Sequence, residues 1–464
     1  MKNKSASIIY PCIILLMAIY LRLRFVLYTP FELKIDAWSM YHYALNVVEG
    51  RYYGHCFGEH WARYAYWPPL YIFLSGFVYR FWGISQEFLF MRLLQVVFST
   101  ASCLLCYYIA SEAVREYSGL HKEAGLVSGL LMAVNPRMVV YANHLYVETV
   151  FITLYLLIVY VGLRRYKYMI AVKASKRKGL AVLLPIVFFS VLLGLGNLTR
   201  PVLLLLPGVS FVFLLLFSTA KGLCLCRAVR LALLDTFLSL LFMLAVISPW
   251  VIRNHSVTGR LILIDTNGPI NFYIAHNPLA NGQWVDVKPH TDINRLYETG
   301  YREGLSYITG HLPREVQLLR LKQELLLYGA DPHVKEASRY LDRAYMLPLY
   351  GSFVKMGLAK ENLLNGFYKL PQLSFSFLWK SFALLLLLFM IRLMAAKRLG
   401  IILCEPAWII GNLLYMNLVI QLFYYAPRYR IAVEPFLCIS IGIFAAGIAA
   451  SGKHIRSSQI DHQL

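Results

Sequence analysis

Stretches of about twenty consecutive apolar residues recur along this chain, and they constrain its fold more than any other feature. A helix needs about 20 apolar residues to cross the hydrocarbon core of a bilayer. Runs of that kind occupy residues 7–27, 88–111, 123–141, 145–163, 179–197, 201–219, 231–252, 373–394, 400–424 and 431–450. A chain of 464 residues that is 59% hydrophobic is also too apolar for an ordinary soluble protein. The sequence therefore predicts an all-α polytopic membrane protein with about ten spans.

The basic residues indicate which side of the membrane each loop faces. Lys and Arg concentrate in cytoplasmic loops. The stretch 69–82 is too short to span, begins with two prolines and contains Arg80. If it does not cross, the basic gaps all fall on one side: 112–122, 164–178, 220–230 and 395–399. We therefore expect both termini to be cytoplasmic and 69–82 to be a re-entrant or surface-lying helix.

The charge and the cysteines exclude several other classes. The net charge of +21 lies mainly in these short gaps, so it sets the orientation and no nucleic-acid partner is expected. Of eight cysteines, Cys56 alone is in a clearly external stretch, which argues against a disulfide framework. The N-terminal apolar run resembles a signal peptide, but no small-residue cleavage site follows it. We expect it to remain as the first span.

The spans divide the chain into four parts. Residues 1–252 form an N-terminal transmembrane module with a first outer loop at 28–87, and residues 373–450 form the C-terminal transmembrane helices. Between them, 253–372 is far longer than a connection requires. It begins with turn-rich sequence and continues with helical patterns, so a small helical cap is expected on the periplasmic face. Residues 451–464 form a cytoplasmic tail.

Asp36 stands at the start of an amphipathic pattern in the first loop. Trp38, Tyr41, Leu45 and Val48 share one helical stripe, which predicts a helix lying along the membrane surface. A carboxylate before such a helix is often an N-cap. It is equally placed to act as a catalytic group at the membrane boundary, and the two roles are compatible.

Arginines gather at the predicted outer ends of the spans. Arg200, Arg253, Arg428 and Arg430 all occupy such positions, and Glu148 lies at the outer end of another span. A lone arginine there usually extends towards lipid headgroups. Several together favour a second interpretation, because the guanidinium group suits bidentate recognition of phosphate. The set predicts a site for a phosphorylated lipid.

The order of these motifs resembles a known family. The motifs are Asp36 before its helix, Gly50-Arg51-Tyr52-Tyr53, Pro68-Pro69-Leu70-Tyr71, Phe81-Trp82-Gly83, Arg92-Leu93, Asn135-Pro136, Tyr141 and Glu148, Leu198-Thr199-Arg200-Pro201, Pro249-Trp250-Val251-Ile252-Arg253-Asn254, and Arg428-Tyr429-Arg430 with Pro435. Over about residues 8–450 they resemble the bacterial dolichyl-phosphate-mannose-protein mannosyltransferase-like and aminoarabinose-transferase-like glycosyltransferases of the GT-C class. The resemblance implies a GT-C-type helical bundle.

The resemblance also implies an activity. Such enzymes transfer a sugar from a polyprenyl-phosphate donor to a lipid, glycan or protein acceptor on the periplasmic side of the inner membrane. The acidic residue matched by Asp36 is implied to be the catalytic base of a one-step, inverting transfer. Glu148, Arg200, Arg253, Arg428 and Arg430 match residues implied to bind the donor.

One departure concerns a metal. The aminoarabinose branch has Glu-Lys before the proline, where this chain has Tyr66-Trp67. The resemblance therefore does not imply a metal ligand, or a contact between a lysine and the donor phosphate, at Tyr66 and Trp67. The histidines lack helical pair spacing, so no residue is assigned to a metal. No cofactor is assigned, and a divalent cation is left open.

Two other functions remain open at this stage. A transporter or flippase for lipid-linked sugars would use a similar surface, although neither a charged mid-membrane path nor an internal repeat is visible. A non-catalytic assembly protein for envelope glycans would use 253–372 to bind partners. Neither alternative requires Asp36 or Arg428 to take part in chemistry.

Overall fold

The protein is helical throughout the part that the structure describes. The computed structural model describes residues 2–54, 60–84, 88–116, 119–173, 180–329, 331–337, 340 and 404–461. Every regular element in these ranges is a helix. Six of them are long and apolar enough to cross a membrane: Ala6–Tyr28, Leu89–Ala113, Glu148–Met169, Pro201–Ala220, Leu225–Thr258 and Pro427–Gly447. The prediction of an all-α polytopic membrane protein is confirmed, while the predicted span 373–394 lies outside the described residues.

The helices are numbered in chain order. In the first half they are α1 (Lys2–Tyr28), α2 (Ile35–Val48), α3 (Pro69–Trp82), α4 (Leu89–Ala113), α5 (His121–Ala133), α6 (Pro136–Tyr141), α7 (Glu148–Lys173), α8 (Leu180–Thr199), α9 (Leu206–Ala220) and α10 (Leu225–Thr258). In the second half they are α11 (Asn267–Ala275), α12 (Ile293–Gly310), α13 (Leu312–Tyr328), α14 (Pro332–Glu336), α15 (Cys404–Gln421) and α16 (Glu434–Asp461). Short 3₁₀ helices occupy Trp61–Ala65, Pro201–Leu203 and Pro427–Ala432.

Two groups of long helices form the bundle. In one, α4 packs against α1, α5 and α7, and α16 closes the group against α4 and α5. In the other, α10 packs against α8 and α9, and α7 connects the groups through α8. Their apolar faces form one continuous buried core. The positions of polar side chains at the ends of these helices are therefore fixed by close packing.

The predicted single span 123–141 is wrong as one continuous helix. The chain forms α5, breaks, and resumes as α6, because Pro136 has no N–H to continue the hydrogen-bond ladder. The side chain of Asn135 accepts hydrogen bonds from the N–H groups of Arg137 and Met138 and caps the new helix. Buried Arg22 donates to the carbonyl of Ala133 at 3.0 Å, at the end of α5. The break turns the following residues towards the candidate site.

Helix α2 forms where the amphipathic pattern predicts it, but with a different buried face. Its fully buried side chains include Ala37, Met40 and Tyr43, whereas Trp38 of the predicted stripe is 37% exposed. The expectation that Asp36 is an N-cap is wrong. Lys34 occupies that position, and Asp36 lies in the first turn. Helix α3 packs against α2, and its predicted position at the membrane surface stays a prediction.

The long segment after α10 folds as the helical patterns predict, as far as the structure describes it. Helices α11 and α12 pack against each other, and α13 contacts both α12 and α15. A backbone hydrogen bond of 2.7 Å joins the N–H of Tyr425 to the carbonyl of Gly282. The segment is therefore fastened to the C-terminal helices, and together they close one side of the cavity described below. Most of 338–372 lies outside the described residues, so the four-part division stays a prediction.

Candidate active site

One cavity of about 960 Å³ lies where the first loop, the start of α7, the end of α15 and the long segment meet. Its apolar wall includes Phe151, Met416, Val419 and Phe423, and its polar wall includes Lys34, Asp36, Tyr66, Arg200, Asp265, Asn267, Asn271, Tyr297, His333 and Arg428. A largely apolar cavity with a few convergent polar groups is the usual form of a ligand site. Two parts of such a ligand, one apolar and one polar, would fit these two walls.

Asp36 and Arg428 form an ion pair in this cavity although 392 positions separate them. Asp36 lies in the first turn of α2, where the helix dipole favours negative charge. Arg428 comes from the 3₁₀ helix Pro427–Ala432, and its guanidinium lies 5.7 Å from the ring centre of Tyr146 and 5.6 Å from that of Tyr429. The aromatic rings hold the guanidinium group in place beside the acid.

Glu148 and Arg200 extend this pair into a row of alternating charges. Glu148 is the first residue of α7, and its Oε1 accepts a 2.9 Å hydrogen bond from Arg200. The same oxygen lies 3.6 Å from Nε of Arg428. Glu148 is buried behind the cavity surface, whereas both arginines line the cavity. Two acids and two arginines thus balance each other, and Asp36 lines the cavity together with both arginines.

Two buried polar atoms in this row make no hydrogen bond within the protein. Nε of Arg428 is buried and makes no hydrogen bond, because Glu148 is beyond hydrogen-bonding distance. Oε2 of Glu148 is also buried without a hydrogen-bond partner. Buried polar groups of this kind are rare in folded proteins and call for a ligand, an ion or water to satisfy them. Water or a ligand can complete the hydrogen bonding of these two atoms.

Arg253 does not reach the cavity. Its guanidinium donates to the carbonyl oxygens of Tyr64 and Tyr53, the second at 3.0 Å. It also lies 5.2 Å from the ring centre of Tyr53 and 4.8 Å from that of Trp250. Arg253 thus fastens the first loop to the end of α10, and the structure does not bring it together with the other predicted donor-binding residues.

Arg430 belongs to a second, buried cluster of charges. Its Nε lies 3.1 Å from Oε1 of Glu434, which also contacts Arg137. Arg137 in turn pairs with Asp331 at 2.7 Å, and Asn135 donates to Glu434 at 2.8 Å. None of the four charged residues lines the cavity. The cluster joins α6, α14 and α16, so it holds the cavity wall in place.

Asp265 is a cavity residue that the sequence reasoning missed. It precedes α11, and its Oδ1 accepts a hydrogen bond of 3.2 Å from the N–H of Asn267. Burial raises the pKa of its carboxyl group from 3.8 to about 7. The only signal in the sequence is the turn pattern Asp265-Thr266-Asn267-Gly268-Pro269, which predicts a bend without a ligand-binding role.

The described residues do not form a metal site. Within those ranges, no three side chains of His, Cys, Asp or Glu are grouped closely enough to hold an ion. Asp36 has a guanidinium group as its neighbour, and Tyr66 and Trp67 line the cavity beside it. The described residues therefore offer no cluster of side-chain ligands that holds a divalent cation without a bound substrate.

The fold is similar to that of solved membrane glycosyltransferases. No family model and no curated protein matches the sequence. The oligosaccharyltransferase AglB of Archaeoglobus fulgidus, in complex with an inhibitory peptide and a dolichol-phosphate, matches with a TM-score of 0.55 at 12% identity. Its apo form matches with a TM-score of 0.56 at 12% identity. Both matches cover 98% of this chain and 51% of the archaeal chain.

A bacterial enzyme gives a weaker match. ArnT from Cupriavidus metallidurans bound to undecaprenyl phosphate has a TM-score of 0.40 at 14% identity, over 92% of this chain and 77% of that chain. The fold assignment therefore depends on the archaeal enzyme, of which this chain spans about half the length. As the resemblance in sequence predicted, the chain has the fold of the GT-C membrane glycosyltransferases.

Proposed function

We propose that this protein transfers a sugar from a polyprenyl-phosphate-linked donor to a lipid, glycan or protein acceptor. The reaction takes place in the cavity that Asp36 and Arg428 line. The observation that carries the proposal is the row of Asp36, Arg428, Glu148 and Arg200, assembled from four distant parts of the chain inside a GT-C fold. AglB, which shares this fold, has been solved with a dolichol-phosphate.

The two arginines supply the phosphate site of this proposal. Arg428 and Arg200 both line the cavity. We assign the phosphate to their guanidinium groups, because bidentate contacts to guanidinium are strong and directional. The apolar wall formed by Met416, Val419 and Phe423 accommodates the first isoprene units.

Whether Asp36 is paired with Arg428 depends on whether the polyprenyl-phosphate sugar donor is bound. Without a ligand, Arg428 neutralises Asp36. A bound phosphate competes for the same guanidinium group, so the carboxylate becomes available to an acceptor hydroxyl. A positioned carboxylate that takes this proton contributes about 10²–10⁴-fold to the rate.

The transfer step then balances in a single displacement. The acceptor oxygen forms a bond to the anomeric carbon, and its proton passes to Asp36. The bond between the anomeric carbon and the phosphate oxygen breaks, and its electron pair leaves with the polyprenyl phosphate. Arg428 and Arg200 stabilise the charge that develops on this leaving group. Attack from the face opposite the phosphate inverts the anomeric configuration.

The place of the reaction follows from the same proposal. The basic gap 164–178 is cytoplasmic by the positive-inside rule. It begins near the end of α7, and the Asp36–Arg428 row is at the start of that helix. The cavity then faces the periplasm, with both termini in the cytoplasm of an inner-membrane protein.

The test uses the purified protein in liposomes that contain membrane glycolipids as acceptors. Synthetic undecaprenyl phosphate linked to glucose, mannose, galactose or N-acetylglucosamine serves as the donor panel. We expect at least one donor to be converted to free undecaprenyl phosphate, together with a glycolipid heavier by one sugar in the mass spectrum. Movement of a donor across the bilayer with its glycosidic bond intact would identify a transporter and contradict the proposal.

A further inference from the structure

The turn that carries Asp265 is built rigidly against the first loop. Thr266 donates through its N–H to the carbonyl of Ala65 at 3.0 Å and through its hydroxyl to that of Ala62 at 2.8 Å. The side chain of Asn267 donates to the carbonyl of Tyr66 at 2.7 Å. These three bonds pin the turn to the 3₁₀ helix Trp61–Ala65 and its end. Asp265 is therefore held in one position at the cavity wall.

Several polar and aromatic residues of the cavity lining differ in kind from Arg428 and Arg200. Asn267, Asn271 and Tyr297 line the same cavity, together with Trp284, whose side chain is 57% exposed. Amide and phenol groups both donate and accept hydrogen bonds, and an ionised carboxylate accepts them. The indole of Trp284 offers an apolar face to the same cavity. This combination suits a molecule that carries several hydroxyl groups on an apolar ring frame.

We propose that Asp265, with Asn267, Asn271, Tyr297 and Trp284, forms a sugar subsite in which the Asp265 carboxylate accepts hydrogen bonds from sugar hydroxyls. The inference depends on the proposed transferase function and names the part of the cavity that selects the sugar. The phosphate is assigned to Arg428 and Arg200, because an anion needs the positive charge that these two residues supply. The subsite serves either the donor sugar or a sugar of the acceptor, since the chemistry is the same.

The charge state of Asp265 gives the proposal a pH readout. Burial raises the pKa of its carboxyl group to about 7, while the nearby Arg200 lowers it. Tyr53, Tyr66 and Tyr301 also face this group, and all three stay neutral near pH 7 because burial raises the pKa of each phenol. The ionised carboxylate accepts stronger hydrogen bonds than the neutral acid. Sugar binding through Asp265 therefore tightens as the pH rises from 6 to 8.

The experiment compares undecaprenyl methyl phosphate, a sugar-free lipid, with undecaprenyl phosphate carrying each of the four sugars named above. Both kinds of lipid are phosphodiesters with one negative charge, so the second ionisation of a phosphate monoester, with a pKa of about 6, does not enter the comparison. Binding to the purified protein in nanodiscs is measured by tryptophan fluorescence, because Trp67 and Trp284 line the cavity. In the unmodified protein we expect at least one sugar-carrying lipid to bind more tightly than the bare lipid. Asp265→Ala removes most of this preference, a loss of about tenfold, and keeps the affinity for bare lipid.

Two further variants separate a lost contact from a lost fold. Asp265→Asn retains the turn and about half of the preference, and its preference does not change between pH 6 and 8. Asp292→Asn is the matched control: it removes a carboxylate of the same long segment that does not line the cavity, and asparagine still caps α12. Its sugar preference equals that of the unmodified protein.

Methyl glycosides of the same sugars, added to the protein already loaded with undecaprenyl phosphate, distinguish the source. If Asp265 binds a sugar of the acceptor, Asp265→Ala weakens the binding of methyl glycosides and leaves the preference for sugar-carrying lipid unchanged. The proposal is overturned if Asp265→Ala changes both the affinity for methyl glycosides and the preference for sugar-carrying lipid by less than twofold. It is also overturned if no sugar-carrying probe binds better than its sugar-free counterpart. Failure of the transferase proposal would show differently, as a donor that keeps its glycosidic bond in the liposome assay while the sugar preference of the unmodified protein persists.

Discussion

Arg428 contacts two carboxylates at once, and its energetic role follows from that position. It pairs with Asp36 and lies 3.6 Å from Glu148, in surroundings where its side chain is 20% exposed. A charge in such a place is favourable only while its partners stay nearby. Arg428 and the two acids therefore stabilise one another at the cavity wall.

The first prediction concerns phosphate binding by this residue. Arg428→Gln removes the charge and the fork of N–H donors, so we expect the affinity for undecaprenyl phosphate to fall at least tenfold, about 1.4 kcal/mol. Arg428→Lys retains the charge without the fork of N–H donors, so its affinity should lie between that of the unmodified protein and that of Arg428→Gln. Arg295→Gln, at an exposed ion pair outside the cavity, changes the affinity by less than twofold. An unchanged affinity in Arg428→Gln would remove Arg428 from the phosphate site.

The second prediction concerns the pH dependence of stability through Asp265. Its carboxyl pKa is raised from 3.8 to about 7, so between these values the folded protein binds a proton that the unfolded chain has released. Stability therefore falls as the pH rises from about 4 to 7, and this loss persists above 7. The amide in Asp265→Asn binds no such proton, so the stability of this variant does not fall in this way. Between pH 4.5 and 7.5 the free energy of unfolding of the variant, relative to that of the unmodified protein, is expected to rise by about 1–3 kcal/mol, which is measured as a change of a few degrees in the Tm difference. A Tm difference that stays the same at both pH values would contradict this prediction.

At the scale of the elements, two kinds of polar contact hold the cavity walls. Arg253 binds backbone carbonyls of the first loop, and Arg137 joins α14 and α16 through Asp331 and Glu434. Both arginines are structural by these contacts. Their removal is expected to loosen the walls without removing a group that touches the ligand.

The third prediction tests the buried cluster. Arg137→Gln leaves the carboxylates of Asp331 and Glu434 buried with less positive charge nearby, and Arg430 alone remains close to Glu434. Breaking a buried pair in this way costs about 3–5 kcal/mol, against at most about 1 kcal/mol for the exposed pair of Arg295 with Glu303. Thermal unfolding of Arg137→Gln beside Arg295→Gln measures the difference. Equal unfolding temperatures would mean that the cluster does not stabilise the fold.

The fourth prediction separates structure from binding at Arg253. Arg253→Gln removes the guanidinium that bonds to Tyr53 and Tyr64, so the unfolding temperature should fall by several degrees. Because Arg253 does not line the cavity, the affinity of the folded fraction for undecaprenyl phosphate should stay within twofold of the original. A tenfold loss of affinity with an unchanged unfolding temperature would restore the donor-binding role that the sequence resemblance implies.

At the scale of the whole molecule, the apolar runs predicted the fold and the motif order predicted its class. Asp36, Glu148, Arg200 and Arg428 were also named from the sequence, and the structure brings them together. Arg253 shows the limit of this reasoning. An arginine at a span end looks the same in sequence whether it faces a cavity or backbone carbonyls, because the difference lies in packing between distant segments.

Asp265 shows the opposite limit. Its turn pattern is common and carries no chemical signal, so its place in the cavity appears only once the long segment is folded against the first loop. The break between α5 and α6 was readable in part, since Asn135-Pro136 is a helix start that a count of apolar residues passes over. Local rules thus describe the elements, and contacts between distant segments decide the site.

The most direct test of the account is the transfer rate of Asp36→Asn in liposomes, measured with the donor that the unmodified protein uses. Asparagine keeps the shape of the side chain but cannot take a proton, so we expect the rate to fall at least 100-fold. Undecaprenyl phosphate should still bind, and Glu32→Gln, which changes an exposed carboxylate of the same loop, should keep full activity. A transfer rate in Asp36→Asn within tenfold of that of the unmodified protein would contradict the central claim.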